Sequence, residues 1–141
     1  MVVYRWDSTL ETGHAIIDTQ HKQLFEAINT LLDTCRVGKG SEELTKNLDF
    51  LNTYTIKHFF DEEKIQQKYN YPDYPNHKQY HETFKNRVKD LTHRLIWSGP
   101  TEELINEVHT SIGDWLVSHI KIQDFKLAHY IKSKDVASKV N

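Results

Sequence analysis

The chain has 141 residues, of which 38% are apolar and 27% charged, a composition typical of a globular domain with a buried core. The net charge of −2 offers no basic surface for a nucleic acid, and no apolar run is long enough to span a bilayer. The single cysteine, Cys35, excludes an internal disulfide, and the first residues lack a signal-peptide pattern, so we expect a cytoplasmic protein.

Helical periodicity and chain breakers divide the sequence into an arm followed by helices. Residues 1–14 show no apolar repeat, and we expect Trp6 to anchor this arm by packing. Apolar residues at spacings of three and four then predict four long helices, separated by breakers. The predicted helices run from about 15 to 37, where Gly38 supplies a left-handed cap; from after the N-cap Ser41 to about 69; from about 76 to 97; and from after the N-cap Thr101 to about 122, with a short fifth helix over about 125–132.

These elements predict an all-α fold. Short connections between long helices make sequential helices antiparallel, which favours an up-down-up-down four-helix bundle. We therefore expect a single domain over residues 1–141, with an N-terminal arm over 1–14, a bundle over about 15–122 and a C-terminal tail over about 123–141 that contains the short helix.

Histidine interrupts the apolar stripe of every predicted helix. Burying an unpaired polar group costs roughly 1–3 kcal/mol, so several such groups in one small core need a shared partner. In an antiparallel bundle the start of one helix lies beside the end of the next, which places all of these residues in one layer. A layer of imidazole and carboxylate groups is typical of a metal site in a bundle. Its members are His21, His58, Glu62, His77, His81 and His119.

The number of histidines favours two metal ions. Five imidazoles exceed what one tetrahedral zinc ion uses, and two ions bridged by two carboxylates would use them all if Asp124 joined Glu62. Asp124 follows His119 by five residues, which on an α-helix is an offset of about 140°. The spacing alone therefore makes Asp124 a weak candidate. Mixed imidazole and carboxylate ligands favour iron, manganese or zinc over copper(I).

Four motifs give the sequence a resemblance to a known family. They are IDTQH, which contains His21, HFFDEE, which contains His58 and Glu62, HKQYH, which contains His77 and His81, and WLVSHIKIQD, which contains His119 and Asp124. From about Trp6 to Asp124 the chain resembles the bacterial single-domain hemerythrins (bacteriohemerythrins) of the hemerythrin-like family. All seven positions of the family's ligand pattern hold the expected residue type.

The resemblance implies a centre of two iron ions with an oxo or hydroxo bridge. The two irons would differ by one histidine, which leaves one iron with an open position where hemerythrins bind O2. By this resemblance His77, His81 and His119 would hold one iron, His21 and His58 the other, and Glu62 and Asp124 would bridge them.

Apolar residues surround the open position in the family, where they exclude water. Asp18, which precedes His21 by about one turn, is expected either to support that ring or to cap the first helix. Glu63 lies one step off the helix face and is expected to be solvated.

The positions of this chain that match the family's O2 pocket hold Leu24, Phe59, Phe84, Trp115, Leu116 and Ile120.

The expected function is reversible O2 binding for storage, delivery or sensing, as an oxygen-binding protein rather than an enzyme. An oxygen-consuming enzyme or a signalling component would be its partner. Three alternatives stay open at this point: a di-iron redox enzyme of the peroxidase, oxidase or nitric-oxide reductase type, a sensory module of a longer receptor, and a structural zinc or manganese bundle. The sequence leaves the oligomeric state open.

Overall fold

Helices account for nearly all of the computed structural model, which describes residues 3–38 and 40–140, with side chains up to residue 136. A short 3₁₀ turn (Ser8–Leu10) lies in the arm, and the described residues contain no strand. The helices are α1 (Ala15–Val37), α2 (Ser41–Lys68), α3 (Tyr74–Ser98), and a composite fourth helix made of α4 (Glu102–Glu107), a π-helical segment (Val108–Asp114), α5 (Trp115–His119), a second π-helical segment (Ile120–Asp124) and α6 (Phe125–Val140).

The helices pack as the sequence predicts. α1 contacts α2, α2 contacts α3, and α3 contacts α4 and the first π-helical segment. That segment also contacts α1, which closes the ring of four. The prediction of an all-α four-helix bundle is therefore confirmed. Within the residues described, no helix is long and apolar enough to cross a membrane.

Local capping residues set several of the helix ends. Gly38 ends α1 in the left-handed conformation, with φ of 69°, which glycine adopts without steric cost. Thr101 caps α4, as predicted, because its hydroxyl accepts a hydrogen bond from Leu104 N at 3.2 Å. The prediction for Ser41 is wrong: α2 already includes Ser41, and Gly40 is its N-cap without a side-chain hydrogen bond.

Two boundaries differ from the prediction for identifiable reasons. α3 begins at Tyr74 rather than near residue 76, since Pro75 is accommodated in the first turn, where its missing N–H is not needed. The predicted break between the fourth helix and a short fifth helix is absent. The second π-helical segment joins α5 directly to α6, so the backbone stays helical from Glu102 to Val140.

The core has an aliphatic end and a polar end. Away from the histidine layer, leucine and valine side chains fill the bundle, among them Leu31, Leu48, Leu95 and Val108, each at most 1% exposed. Fully burying such a side chain stabilises the fold by roughly 1.5–3 kcal/mol. Beyond the histidine layer a second buried cluster covers the polar end, made of Ile17, Tyr71, Leu127 and Ile131.

The arm is fixed to the bundle by Tyr4 and Trp6. Asn29 on α1 accepts a hydrogen bond from Tyr4 N at 2.9 Å and donates one to Tyr4 O at 2.8 Å. The Trp6 ring packs edge-on against Phe25 at 5.6 Å, and its centroid lies 6.1 Å from that of His21. The expectation that Trp6 anchors the arm is confirmed, and the arm thus covers one flank of the histidine layer.

Candidate metal centre

Seven buried ionisable residues converge at one end of the bundle, and each of the four long helices contributes to the cluster. Six of them are 0% exposed and the seventh, His119, is 4% exposed. They come from the start of α1, the end of α2, the start of α3 and the junction of α5 with the second π-helical segment. The cluster consists of His21, His58, Glu62, His77, His81, His119 and Asp124.

The cluster divides into two overlapping groups that could each hold a metal ion. In each group the potential ligand atoms all lie within 4.8 Å of one another. The two carboxylates belong to both groups, whereas each histidine belongs to only one. The larger group is Glu62, His77, His81, His119 and Asp124, and the smaller group is His21, His58, Glu62 and Asp124.

The two oxygens of Glu62 face different groups. Oε1 lies 3.0 Å from His77 Nε2 and 3.2 Å from His81 Nε2, in the larger group. Oε2 lies 3.3 Å from His58 Nε2 and 3.9 Å from His21 Nε2, in the smaller group. A carboxylate in this position can bind one ion through each oxygen.

Asp124 repeats the arrangement from the fourth helix. Its Oδ1 lies 3.1 Å from His77 Nε2 and 3.3 Å from His119 Nε2, while Oδ2 lies 2.9 Å from His21 Nε2. The Nε2 atoms of His77 and His119 also face each other at 3.1 Å. The side chains therefore converge on two points with the carboxylates between them.

Buried polar atoms without partners indicate that a cation fits the cluster. The Nε2 atoms of His21, His58 and His81 approach the carboxylate oxygens of Glu62 and Asp124 to 2.9–3.9 Å. Among the described residues, however, none of these atoms makes a well-directed hydrogen bond. Leaving each such atom unsatisfied costs roughly 1–3 kcal/mol. Imidazole nitrogens and carboxylate oxygens are donors that iron, manganese and zinc accept, so a pair of such ions would satisfy these atoms.

The charges within the cluster favour cation binding. Burial raises the pKa of Glu62, but the surrounding histidines, His58 first, outweigh burial and hold it well below its usual range. Burial and the Glu62 charge also raise the pKa of Asp124, yet the nearby rings, including His119, keep its net value below the ordinary one. Burial lowers the pKa of His77, but both carboxylates together raise it to about 10. An incoming metal ion would displace ring protons here.

The second π-helical segment explains how Asp124 joins the cluster. In this segment Phe125 N–H bonds to Ile120 O, five residues back, instead of four as in an α-helix. The wider turn reduces the angular offset expected between His119 and Asp124, and both side chains reach the same cluster. The five-residue spacing is visible in the sequence. Periodicity could not interpret it, because that method assumes regular α-helical winding.

The residues expected to line an O2 pocket are largely buried, and two of them stack on rings of the larger group. Five of them are at most 1% exposed, and Trp115 is half-buried. Phe59 stacks on the His81 ring with centroids 3.8 Å apart, and Trp115 stacks on His119 at 4.6 Å. Their role in binding O2 stays a prediction. The buried five are Leu24, Phe59, Phe84, Leu116 and Ile120.

Burial lowers the pKa of His21, but Asp124, Glu62 and, as the smallest contribution, the charge of Asp18 raise it. Asp18 thus acts on His21 through its charge, and its hydrogen bonds go elsewhere. Its Oδ1 accepts hydrogen bonds from Thr12 N at 2.9 Å and Thr12 Oγ1 at 2.8 Å, and its Oδ2 accepts one from Gly13 N at 3.1 Å. His21 Nδ1 has no partner in the part of the chain that the structure describes. Asp18 therefore ties the arm to the start of α1.

Sequence reasoning missed two residues that contact the histidines from outside. Gln20 Oε1 lies 2.8 Å from His58 Nδ1, and Glu63 Oε2 lies 2.9 Å from His81 Nδ1. The expectation that Glu63 is solvated is wrong, because its side chain is only 14% exposed. Gln20 directly precedes His21 in the sequence, and Glu63 directly follows Glu62. Both lie off the apolar stripe of their helix, so hydrophobic periodicity does not identify them.

Known proteins match the chain over most of its length. A family model described as the hemerythrin HHE cation binding domain matches residues 12–131. A myohemerythrin from Sipunculus nudus is 32% identical over 87% of this chain and 89% of its own. A bacteriohemerythrin from Methylococcus capsulatus (strain ATCC 33009 / NCIMB 11132 / Bath) is 35% identical over 85% of this chain and 90% of its own.

Solved structures agree with the sequence relatives. The crystal structure of wild-type hemerythrin superposes with a TM-score of 0.78 at 31% identity, and the match covers 89% of this chain and 95% of that one. Fold, buried histidine–carboxylate layer and family model all lead to the same assignment. The chain belongs to the hemerythrin family.

Proposed function

We propose that this protein binds O2 reversibly at a non-heme di-iron centre inside the bundle, as an oxygen-binding protein rather than an enzyme. The observation that carries the proposal is the pair of overlapping ligand groups, which share Glu62 and Asp124 and lie buried in one layer. Membership of the hemerythrin family supports iron as the metal and O2 as the ligand.

The proposed ligand assignment follows the two groups. Three histidines in the larger group and two in the smaller leave the second iron with fewer protein ligands and hence room for an exogenous one. A bound iron pair with an oxo or hydroxo bridge would supply the electrons with which O2 is held and released. His77, His81 and His119 would hold one iron, His21 and His58 the other, and Glu62 and Asp124 would bridge both.

The apolar residues around the centre would protect it from water. Phe84 packs on Trp115 with ring centroids 4.4 Å apart, and Phe59 packs edge-on against Phe84 at 5.7 Å. Phe59 also lies 5.5 Å from the His58 ring of the smaller group. Together with Leu24, Leu116 and Ile120 these residues would form a dry pocket that reaches the open iron position. Excluding water in this way disfavours side reactions of a reactive centre, which supports reversible binding over turnover.

The proposed biological role is oxygen storage, delivery or sensing in the cytoplasm. Its partner would be an oxygen-consuming enzyme or a signalling component. The single cysteine, Cys35, leaves the chain without an internal disulfide, which supports a reducing compartment. Fluorescence microscopy of the tagged chain in the native cell would test the location.

Iron content and reversible spectra test the proposed function. The metal-free protein would be loaded anaerobically with ferrous iron, and visible spectra would be recorded before O2, with O2 and after its removal. We expect two irons per chain and a charge-transfer band that appears with O2 and disappears when O2 is withdrawn. The variant His77→Ala should lose iron, whereas His93→Ala, which removes an exposed histidine outside the cluster, should retain both.

Other results would reject the proposal in distinct ways. Two irons that oxidise irreversibly on the first exposure to O2 would move the assignment to a redox enzyme. Binding of zinc or manganese with no uptake of iron would leave only a structural metal bundle.

A further inference from the structure

The outer ring nitrogens of the clustered histidines differ in their surroundings. His21 Nδ1 and His77 Nδ1 are buried and have no hydrogen-bond partner among the described residues. His58 Nδ1 and His81 Nδ1 each face a side-chain oxygen at hydrogen-bonding distance. The two supported rings belong to different ligand groups, one to the smaller and one to the larger.

A chain of hydrogen bonds fixes the tautomer of His58. Lys57 Nζ donates to Asp61 Oδ2 at 2.8 Å, and Gln20 Nε2 donates to the same oxygen at 2.8 Å. Because this carboxylate only accepts, the amide of Gln20 must turn its NH₂ group toward Asp61 and its oxygen toward His58. His58 therefore carries its proton on Nδ1, and its Nε2 lone pair faces the centre.

A carboxylate does the same for His81. Glu63 Oε2 lies 2.9 Å from His81 Nδ1, which must carry the proton to donate to it. The opposite ring atom, His81 Nε2, lies 3.2 Å from Glu62 Oε1 inside the cluster. The ring thus lies between a carboxylate outside the cluster and one inside it, and its Nε2 atom is directed at the larger group.

We propose that Glu63 and Gln20 are positioning residues of the metal centre, each for one metal position. Glu63 would act through His81 on the larger group, and Gln20 through His58 on the smaller group. Groups that accept the outer N–H of a ligating histidine fix its orientation and raise its basicity. A carboxylate does this more strongly than an amide, so the position beside Glu63 would bind its ion more tightly.

This inference rests on the ligand groups of the proposed function but not on iron or O2. It predicts that the two positions fill in sequence, with the larger group first. It also predicts that Glu63 and Gln20 each control mainly one of the two filling steps. Residues with a purely structural role would not affect the two steps separately.

A cobalt(II) titration of the metal-free protein tests the proposal. Co²⁺ alone is the probe, and its visible absorption follows the two filling steps separately. We expect Glu63→Ala to weaken the first step by roughly 10- to 100-fold and Gln20→Ala to weaken the second by a similar factor. Glu63→Gln retains an acceptor for His81, so it should restore part of the first step.

Two controls separate positioning from general effects. Glu82→Gln removes a carboxylate next to His81 in sequence, but Glu82 pairs with Lys85 at 2.7 Å on the surface and should leave both steps unchanged. Circular dichroism of each metal-free variant identifies any that fails to fold. Glu63→Met and Gln20→Met, which keep the length of the side chain without its oxygen, then carry the test with the same expected weakening.

The titration gives a clear outcome either way. The proposal is supported if the Glu63 variants weaken one filling step and the Gln20 variants weaken the other. Wild-type affinity at both steps in folded variants, or equal weakening of both steps by either variant, would overturn it. A protein that passes this test but shows no reversible O2 binding would reject the proposed function alone.

Discussion

Glu62 and Asp124 are the residues at which a single substitution tests the pairing of the two metal positions. Each directs one oxygen at the larger ligand group and the other at the smaller one. We expect Glu62→Ala or Asp124→Ala to reduce bound iron from two ions per chain to one or none, since both groups lose a shared ligand. Elemental analysis with protein quantification measures the ratio.

The same helix provides a control for this prediction. Glu42 lies exposed in the first turn of α2, far along the helix from Glu62, and Glu42→Ala should keep two irons per chain. If either cluster variant retained two irons and normal O2 binding, the carboxylate concerned would not be a bridge.

At the scale of single residues, the sequence predicted the candidate metal ligands better than it predicted the residues that contact their outer ring nitrogens. His21, His58, His77, His81 and His119 each interrupt an apolar stripe, so periodicity exposes them. Gln20 and Glu63 contact rings that project from neighbouring helices, and the spacing within one helix carries no information about such contacts. Packing between helices therefore had to be known before the outer hydrogen bonds could be assigned.

The fourth helix shows where element-level prediction succeeds and fails. Apolar spacing located it, and the N-cap Thr101 located its start. Its two π-helical segments escaped prediction, because periodicity analysis assumes 3.6 residues per turn throughout. The second segment brings Asp124 into the cluster. The first (Val108–Asp114) contacts the arm, since the Tyr4 hydroxyl donates a hydrogen bond to His109 O. Both departures from regular winding thus lie where the helix meets another part of the molecule.

The contact between the arm and the first π-helical segment leads to a prediction for Gly113. The Tyr4 ring lies against Gly113 so closely that a β-carbon there would overlap it, and the Tyr4 hydroxyl donates to His109 O at 2.9 Å. In an exposed helix, glycine to alanine stabilises by about 1 kcal/mol. Here we expect Gly113→Ala to destabilise by about 1–3 kcal/mol through overpacking, as measured by urea unfolding.

A double-mutant cycle checks the cause. In a Tyr4→Ala background the overlap is gone, so Gly113→Ala should cost little or even stabilise. An equal cost with and without the Tyr4 ring would show that the arm contact is not the reason.

The whole bundle combines an aliphatic end, which is stable by burial, with a polar end that requires a bound cation. Leu31, Leu48 and Leu95 are fully or almost fully buried and need no partner beyond one another. The clustered histidines and carboxylates are equally buried, but many of their polar atoms lack partners. The sequence predicted this division, because the histidines all fall at one level of an antiparallel bundle. Metal binding should therefore contribute to folding stability as well as to function.

Metal removal measures that contribution. A ligand that binds only the folded state stabilises it by about 2.7 kcal/mol at 100 times its dissociation constant, which for a chain of this size raises the melting temperature by about 5–10 °C. We expect the iron-loaded protein to melt higher than the chelator-treated one by at least this amount, as measured by calorimetry under anaerobic conditions. Glu62→Ala should reduce the difference, whereas Leu95→Ala, at the aliphatic end, should lower both melting temperatures and preserve the difference between them. Equal melting temperatures with and without metal would mean that the polar end is satisfied without a cation, and the two-ion interpretation of the cluster would fail with it.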